Sequence, residues 1–354
     1  MKQLNVVIPG LLGPFSNEMP AHVKRQLKQS EFNVINKCFS RAEISNANGN
    51  FISSESASAC ASEDGSYYQT LTTLINPQCK LSLCQLTAEY DGIDITSGFY
   101  YRADPVHFKA ESDHAILIGS ELVSPEKDET KQLIDCFNQH FLEDKLSLHS
   151  TNEKRWYLRS DKPLNLEFNT LDYALGRDIK HFLPYGEDEL WWRKTLNEAQ
   201  MLFFQHPVSQ NRESSGQLSI NGLWLWDCCT DLNCSDTHLP EQLFANDELA
   251  IALGEQAGII TKSIDDIDEI ESTAVLVLDQ LYESVCYGDV DAWFEALLVF
   301  SNSEFQRVVN LLLSKEVDEI NIYPCDGQVF KVDRMKLLKF WKHKKTLSDF
   351  VVVQ

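Results

Sequence analysis

Two short segments place side chains that can bind anions or transfer protons close together in the sequence. The first is FYYRADPVHFK, residues 99–109, which contains an arginine, a carboxylate and an imidazole near one another. An arginine beside a carboxylate can fix an anion, and an imidazole can act as a general acid or base. The same residues also suit a strand-to-turn segment, in which the carboxylate makes structural hydrogen bonds before Pro105. The candidate residues of this segment are Arg102, Asp104 and His107.

The second segment, residues 193–226, predicts a helix, a loop and a strand that carry polar and aromatic side chains. Arginine and asparagine bind carboxylate or phosphate oxygens, and indole rings exclude water and strengthen those bonds. Side chains two residues apart point to the same face of an extended strand, which suits an aromatic wall and a packed core equally. The segment therefore predicts a site for a small anionic metabolite, with packed core and helix caps as the alternative. Its candidate residues are Arg193, Asn197, His206, Arg212, Asn221, Trp224 and Trp226.

A third segment, CCTDLNCSDTH at residues 228–238, contains three thiols and an imidazole, which are ligand types that zinc prefers. The four residues are Cys228, Cys229, Cys234 and His238. Their spacing matches no zinc-finger pattern, and two adjacent cysteines strain the binding of one ion. The segment is therefore interpreted as a cysteine-containing loop, and we expect no metal and no cofactor.

The elements that must position these side chains alternate between strand and helix. The pattern predicts strands at residues 4–8, 81–87, 114–119, 155–159 and 219–226. A helix should begin at Ser124, as an N-cap before Pro125. A second helix, 188–205, should end at His206-Pro207 because proline disfavours helix in the residue before it. Arg212 is then expected in a loop.

The C-terminal part of the chain predicts further strands and helices. Residues 241–290 are acidic and include an apolar strand at 273–278. The pattern then predicts helices near 290–300 and 303–314, and a hairpin at 320–323 and 329–332 around Cys-Asp-Gly-Gln. Residues 331–345 are basic, and residues 45–66, rich in Ser, Asn, Ala and Gly, predict a long surface loop.

This alternation favours an α/β fold, with a central mixed sheet flanked by helices and an inserted or second smaller α+β part. Residues 1–230, including the block 176–226, are predicted to form the main α/β region. Residues 241–354 are predicted to form a C-terminal α/β part that shares the same sheet. The boundary is placed where the composition changes, near residues 229–240.

The composition predicts no nucleic-acid partner and no membrane span. Lys and Arg number 31 against 53 Asp and Glu, and the formal net charge of −22 repels nucleic-acid phosphates and anionic lipid. No window approaches the ~20 apolar residues of a membrane span. Ten scattered cysteines suit reduced thiols in the cytoplasm better than a disulfide framework. A protein partner would use the acidic residues 241–290 or the basic residues 331–345.

Several segments together resemble the bacterial RpfE-type regulatory protein family. They are VVIPGLLGP (6–14), RADPVHF (102–108), RWYL (155–158), GRDIKHFLP (176–184) and LNEAQMLFFQHPVSQNRESSGQLSINGLWLW (196–226). The last segment is also similar to a block of archaeal-type cofactor-independent phosphoglycerate mutases, which belong to the alkaline-phosphatase-like superfamily. That resemblance implies an α/β sandwich with a central sheet and an inserted second domain.

The chain departs from the mutase block at Ser209, where the block has asparagine, and at Asp227, where it has glycine. Enzymes of that superfamily need a carboxylate at the end of the first strand and late Asp and His ligands for two metal ions. Here the first strand ends in IPG at residues 8–10, and only His343 follows His238. The resemblance thus implies a regulatory or binding protein on a mutase-like scaffold, a pseudoenzyme without metal-dependent phosphoryl transfer. The alternative is a mutase- or phosphatase-type enzyme for a small phosphorylated or carboxylated metabolite.

Overall fold

The computed structural model describes residues 2–15, 19–46, 67–75, 82–229, 240–338 and 345–350. The chain divides into two compact units: the first joins Met1–Cys79 to Ser235–Gln354, and the second is the inserted segment Lys80–Cys234. This division follows a different line from the predicted parts 1–230 and 241–354. The first strand pairs with strands from the C-terminal part, as the predicted shared sheet requires, and the difference is that residues 80–234 form a unit of their own.

The strands and helices are numbered in chain order. The strands are β1 (Gln3–Val7), β2 (Glu43–Asn46), β3 (Phe99–Ala110), β4 (Ala115–Ile118), β5 (Leu146–Asn152), β6 (Arg155–Ser160), β7 (Leu166–Glu167), β8 (Tyr185–Gly186), β9 (Gly222–Cys228), β10 (Gln242–Phe244), β11 (Ile260–Lys262), β12 (Ala274–Val277), β13 (Glu319–Tyr323) and β14 (Gln328–Asp333). The helices are α1 (Ala21–Gln26), α2 (Asn33–Arg41), α3 (Tyr67–Ile75), α4 (Leu83–Tyr90), α5 (Ser120–Val123), α6 (Lys127–His140), α7 (Leu171–Ala174), α8 (Glu189–Gln205), α9 (Pro207–Ser214), α10 (Glu248–Gln256), α11 (Tyr282–Cys286), α12 (Val290–Asn302), α13 (Glu304–Ser314) and α14 (Arg334–Leu337).

The first unit is built on a seven-stranded sheet with the order β11-β10-β12-β1-β13-β14-β2. β1 pairs in parallel with β12 on one side and with β13 on the other. β10 and β11 continue the parallel part, and β14 and β2 add two antiparallel strands. The apolar runs of β1 and β12 lie in the middle because a central parallel strand is covered on both faces. The predicted α/β fold, with a central mixed sheet flanked by helices, is confirmed.

Helices α2, α12 and α13 bury their apolar side chains against one face of this sheet. Leu4 and Val6 of β1 lie in one buried cluster with Phe39, Trp293 and Phe305 of these helices. Each large apolar side chain buried in this way contributes about 1.5–3 kcal/mol. Because successive strand residues point to opposite faces, Asn5 lies on the face away from this cluster.

The second unit contains an antiparallel sheet with the order β4-β3-β6-β5, in which β9 also pairs with β3. β3 is 12 residues long and includes the whole segment that the sequence predicts as strand-to-turn. It pairs with β6 as far as Arg102 and with β4 from His107 onward. Pro105 lies between these two ladders, so its missing N–H breaks no bond to either of those strands.

Two helices of the second unit begin differently from the prediction. The stretch 81–87, predicted as a strand, is helix α4 where it is described, because the Ser82 hydroxyl caps it by accepting from a backbone amide at 3.0 Å. Helix α6 begins at Lys127, and Glu126 and Glu129 form a capping box in place of the predicted Ser124 cap. In both cases a local side-chain bond to the backbone decides where the helix begins.

The acidic and basic stretches are built into the first unit. Residues 241–290 contribute β10, α10, β11, β12 and α11. In the basic stretch, Leu337 is buried in the core cluster and Lys336 pairs with Glu43 at 2.8 Å. Residues 339–344 and most of the predicted loop 45–66 lie outside the described residues. In the described ranges, no helix combines the length and apolar character needed to cross a bilayer.

Candidate functional site

Arg102 and Asp104 of β3 form an ion pair in the interior of the second unit. The Arg102 guanidinium donates to both Asp104 oxygens, with an Nη2–Oδ2 distance of 2.7 Å, and to the Thr87 hydroxyl at 2.9 Å. The carboxylate also accepts from the Trp156 amide at 3.1 Å and from the Trp226 indole at 2.7 Å. The two side chains are 6% and 1% exposed. All of these partners are protein groups, so the ion pair serves to hold the strands of this sheet together.

His206 lies between two helices, whereas the sequence predicts that a loop follows it. Helix α9 follows α8 directly, because Pro207 suits the first turn of a helix and the His206 ring caps it. The ring Nδ1 accepts a hydrogen bond from the Val208 amide at 3.2 Å. Burial lowers the pKa of His206, which favours the neutral ring that this bond requires.

Arg212 lies on α9 and not in the predicted loop, and it is 3% exposed. Its guanidinium donates to the Leu218 carbonyl at 2.7 Å, to the Val123 carbonyl and to the Glu129 carboxylate. These bonds tie helices α5, α6 and α9 to one side chain. Its donors are thus directed at the protein, in the same way as those of Arg102.

His107 and Asn221 connect β3 to the residues that lead into β9. The His107 Nδ1 lies 2.8 Å from the Ser219 carbonyl. The Asn221 amide accepts from the Phe108 N–H at 2.7 Å and donates to the Phe108 carbonyl at 3.1 Å. This side chain extends the strand ladder in the manner of a backbone unit.

The remaining predicted residues occupy other places in the second unit. Arg193 and Asn197 lie on the exposed face of α8, where Arg193 pairs with Glu189 at 2.8 Å. Trp224 and Trp226 are 1% and 3% exposed, so they belong to the packed core, which was the alternative to an aromatic binding wall. The ten predicted residues therefore fall into separate environments.

The four residues considered as zinc ligands in the cysteine-containing loop are described only in part. Cys228 and Cys229 are half-buried free thiols, whereas Cys234 and His238 lie outside the described residues. Within the described ranges, no three His, Cys, Asp or Glu side chains are grouped so that they could hold a metal ion.

A different set of polar side chains gathers in the first unit, at the carboxyl edge of the parallel strands. Asp247 follows β10, Asp279 follows β12 and Asp326 follows β13. The carboxyl ends of parallel strands meet at one edge, and open α/β sheets bind ligands outside that edge. β1, which lies between β12 and β13, ends in IPG and brings no carboxylate to this edge.

Tyr67, the first residue of α3, lies near two of these acids. It is 3% exposed, and its hydroxyl makes no hydrogen bond of standard geometry among the described residues. The hydroxyl is nevertheless close enough to Asp247 for a hydrogen-bond interaction to lower the pKa of that carboxyl. Its ring centroid is 5.0 Å from that of Tyr282. Burial raises the pKa of Tyr67, and the charges of Asp247 and Asp279 raise it further. We call Tyr67, Asp247 and Asp279 the carboxyl-edge cluster.

The two acids of this cluster are half-buried, and their charges repel each other. One oxygen of Asp247 caps helix α10 by accepting from the Ala250 amide at 2.8 Å. Burial raises the pKa of Asp247 and the charge of Asp279 contributes, whereas the hydrogen bonds with the Ala250 amide and the Tyr67 hydroxyl act against the rise. A raised carboxyl pKa means that the surroundings disfavour the negative charge. A ligand that carries a positive charge or donates hydrogen bonds would relieve this.

A polar stripe runs from this edge into the sheet, on the face away from the core cluster. Asn321 donates to the Asn5 Oδ1 at 3.0 Å, and the Tyr323 hydroxyl lies 3.5 Å from the same oxygen. Asn321 is 2% exposed, and its Oδ1 has no partner in the described part of the chain. Burial raises the pKa of Tyr323 to about 12, so its phenol stays protonated.

Asp326 predicts a pH dependence of stability. It accepts from the Gln328 amide at 2.9 Å, but burial raises its pKa to about 6. Since the unfolded carboxyl has a pKa near 3.9, the native state loses stability as the pH rises from about 4 to about 6. Asp326→Asn should remove this loss. We expect the wild type to lose about 1–3 kcal/mol more than the variant over this interval, in urea unfolding at pH 4, 5, 6 and 7.

The exposed Asp291 provides a matched control for that comparison. Asp291→Asn, in the first turn of α12, controls for the general effect of exchanging a carboxylate for an amide. Equal pH profiles for the wild type and Asp326→Asn would show that the Asp326 carboxyl titrates normally in the folded protein.

The residues of the carboxyl-edge cluster belong to no motif that the sequence displays. The one available signal is an aspartate directly after an apolar strand, as in TAVLVLD at residues 273–279. No comparable signal marks Tyr67. It follows a Ser- and Ala-rich stretch, and no periodic pattern in the sequence predicts the helix to which it belongs. Only the folded sheet brings this tyrosine to the two acids.

Comparison with known proteins gives no match to a family model and none to a curated protein. Two solved structures are similar over most of their length. A cofactor-independent phosphoglycerate mutase from Thermoplasma acidophilum DSM 1728 is 12% identical, with coverage of 100% of this chain and 96% of that chain and a TM-score of 0.44. The PH0037 protein from Pyrococcus horikoshii is 14% identical, with coverage of 93% and 86% and a TM-score of 0.46.

Neither likeness assigns an activity or a residue's role to this chain, since identities of 12% and 14% concern the path of the backbone alone. Membership of the RpfE-type family stays a prediction.

Proposed function

We propose that this chain is a regulatory binding protein whose ligand site is the carboxyl-edge cluster. The observation that carries the proposal is the Tyr67 hydroxyl, which is buried, makes no hydrogen bond of standard geometry among the described residues, and lies near Asp247 and Asp279. Leaving a buried polar group unpaired costs about 1–3 kcal/mol. A group kept in this state at the ligand-binding edge of an α/β sheet is explained by a ligand that completes its bonding.

The chemistry of the cluster selects the ligand. The two carboxylates accept hydrogen bonds and attract positive charge, and the phenol both donates and accepts. The ligand is therefore a small molecule with an ammonium group or several hydroxyl groups. This differs from the small anionic metabolite predicted from the sequence, because Arg102 and Arg212 direct their donors at protein groups.

Binding without metal-dependent phosphoryl transfer is supported by the end of β1. The strand leads into IPG at residues 8–10, where enzymes of the alkaline-phosphatase-like superfamily are expected to have a metal-binding carboxylate. An enzyme for a phosphorylated or carboxylated metabolite would also need cationic donors aimed at its substrate. The guanidinium groups of Arg102, Arg193 and Arg212 instead bond to protein groups, which gives the enzyme alternative no support.

A cytoplasmic location and a protein partner at residues 241–290 or 331–345 remain part of this proposal. The basic stretch is anchored, because its residue Leu337 and the following Leu347 and Phe350 are buried in the core of the first unit. Removing residues 334–354 would therefore damage that core as well as any docking surface. Charge reversal at the exposed Arg334 and Lys345 is the gentler test for a partner.

Tyr67→Phe tests the binding role. Native mass spectrometry of the freshly purified wild type should show a retained metal-free small molecule with amine or hydroxyl groups, and the variant should lose it by at least about tenfold. The variant should be as stable as the wild type or up to about 2 kcal/mol more stable, because it removes a buried hydroxyl that makes no hydrogen bond of standard geometry among the described residues. Tyr68→Phe, one position along the same helix, is the matched control and should keep the ligand.

Two outcomes would contradict the proposal. A marked loss of stability in Tyr67→Phe would give the hydroxyl a structural role. Two retained divalent cations, together with turnover of a phosphoglycerate, would replace the binding role with the mutase-type alternative.

A further inference from the structure

Two cysteines that are far apart in the sequence meet inside the second unit. Cys84 lies in the first turn of α4, and Cys229 follows the end of β9. Their Sγ atoms are 2.8 Å apart, and both are free thiols. Cys84 is fully buried, whereas Cys229 is half-buried and partly open to solvent. The proposed carboxyl-edge cluster uses neither residue.

The backbones that carry these thiols are already held together. The Cys84 amide donates to the Asp227 carboxylate at 2.8 Å. The Ser82 hydroxyl donates to the Cys228 carbonyl at 2.7 Å, and the Cys229 amide donates to the Tyr100 carbonyl at 2.8 Å. Since these bonds fix both segments beside each other, joining the two sulfurs requires little movement of the backbone.

We propose that Cys84 and Cys229 form a thiol–disulfide exchange site, which low-molecular-weight disulfides oxidise to an intramolecular bond. The half-buried Cys229 reacts first. Its thiolate attacks one sulfur of the small disulfide, a mixed disulfide forms, and one small thiol leaves. The Cys84 thiolate then attacks the Cys229 sulfur, and the second small thiol leaves. Overall, two protein thiols are oxidised and one small disulfide is reduced to two thiols.

The neighbouring Cys228 is the less suitable partner for Cys229. Adjacent Cα atoms are about 3.8 Å apart, which is shorter than the usual span of about 4.4–6.8 Å across a disulfide. Burial also raises the pKa of the Cys228 thiol to about 11, and the charge of Asp227 contributes, so little thiolate forms there. The geometry therefore directs the bond to Cys84.

The slow step of this exchange is the attack of the Cys84 thiolate on the Cys229 sulfur. Burial raises the pKa of its thiol, and the contact with Cys229 adds to the rise. The mixed disulfide on Cys229 should therefore accumulate briefly before the internal bond forms. This order distinguishes the pair from two independent surface thiols, each of which would hold its own adduct.

The test uses the full-length reduced protein, oxidised glutathione as the probe, alkylation of the remaining thiols and peptide mass spectrometry. We expect a linked peptide pair that joins Cys84 to Cys229 and disappears on treatment with dithiothreitol. In Cys84→Ala the linked pair should be lost completely, and Cys229 should retain glutathione. In the matched control Cys228→Ser, the 84–229 link should form as in the wild type.

The wild type and Cys228→Ser decide the outcome even if Cys84→Ala fails to fold, because both keep the two thiols. The proposal is overturned if Cys229 links to Cys228 or to any cysteine other than Cys84. It is also overturned if glutathione remains on Cys229 of the wild type while Cys84 stays reduced.

Discussion

Replacing Asp104 by alanine should destabilise the second unit by about 3–5 kcal/mol, because it leaves the Arg102 charge buried without its partner. The change also removes the acceptor of the Trp156 amide and of the Trp226 indole. The measurement is urea unfolding followed by tryptophan fluorescence. This probe suits the second unit, since residues 156, 191, 192, 224 and 226 are five of the seven tryptophans of the chain.

Two further variants separate charge from packing at this position. Asp104→Asn keeps an acceptor but loses the charge, and it should be less destabilising than alanine. The double variant Arg102→Met/Asp104→Leu should recover part of the lost stability, because no uncompensated charge remains in the interior. If Asp104→Ala changed the unfolding free energy by less than about 1 kcal/mol, water would have to reach Arg102.

Arg212→Ala should also destabilise the second unit by about 3–5 kcal/mol. The change takes the donors away from two backbone carbonyls, those of Leu218 and Val123, and leaves Glu129 without its cation. The matched control is Arg193→Ala. Arg193 is exposed, and its ion pair with Glu189 lies on the surface of α8, so the change should be within about 0.5 kcal/mol of the wild type.

The same two variants distinguish structural from ligand-binding arginines. If Arg212 were a ligand-binding residue with a free guanidinium, Arg212→Ala would lower affinity for a small anion and leave urea unfolding unchanged. A large loss of stability, without a change in the binding of inorganic phosphate, is the result that the contacts of Arg212 predict.

The class of fold follows from local patterns that the sequence displays directly. Apolar runs such as those of β1 and β12, and the periodic stripe of α13, depend on period and hydrophobicity alone. The hairpin of β13 and β14 follows from the turn residues between them. Such signals need no information about distant parts of the chain. For the same reason they could not show that residues 80–234 form an inserted unit.

Helix starts were less predictable, because they depend on single side-chain bonds. The sequence of α4 suits a buried strand as well as a helix until Ser82 is seen to cap it. Pro207 suits the end of one helix and the first turn of the next. A second helix forms because the His206 ring caps it. Arg212 therefore lies on a buried helix face and not in a loop.

Which polar residues serve structure and which are available to a ligand was decided by tertiary contacts alone. Arg102, Arg212 and Asn221 have the side chains of a binding site, but acceptors and donors from distant segments occupy them. Tyr67 carries no signal in the sequence, yet the fold buries its hydroxyl near two acids. The physical reason is that residue type and spacing determine what a side chain can bond, whereas the fold determines whether a protein group already holds that bond.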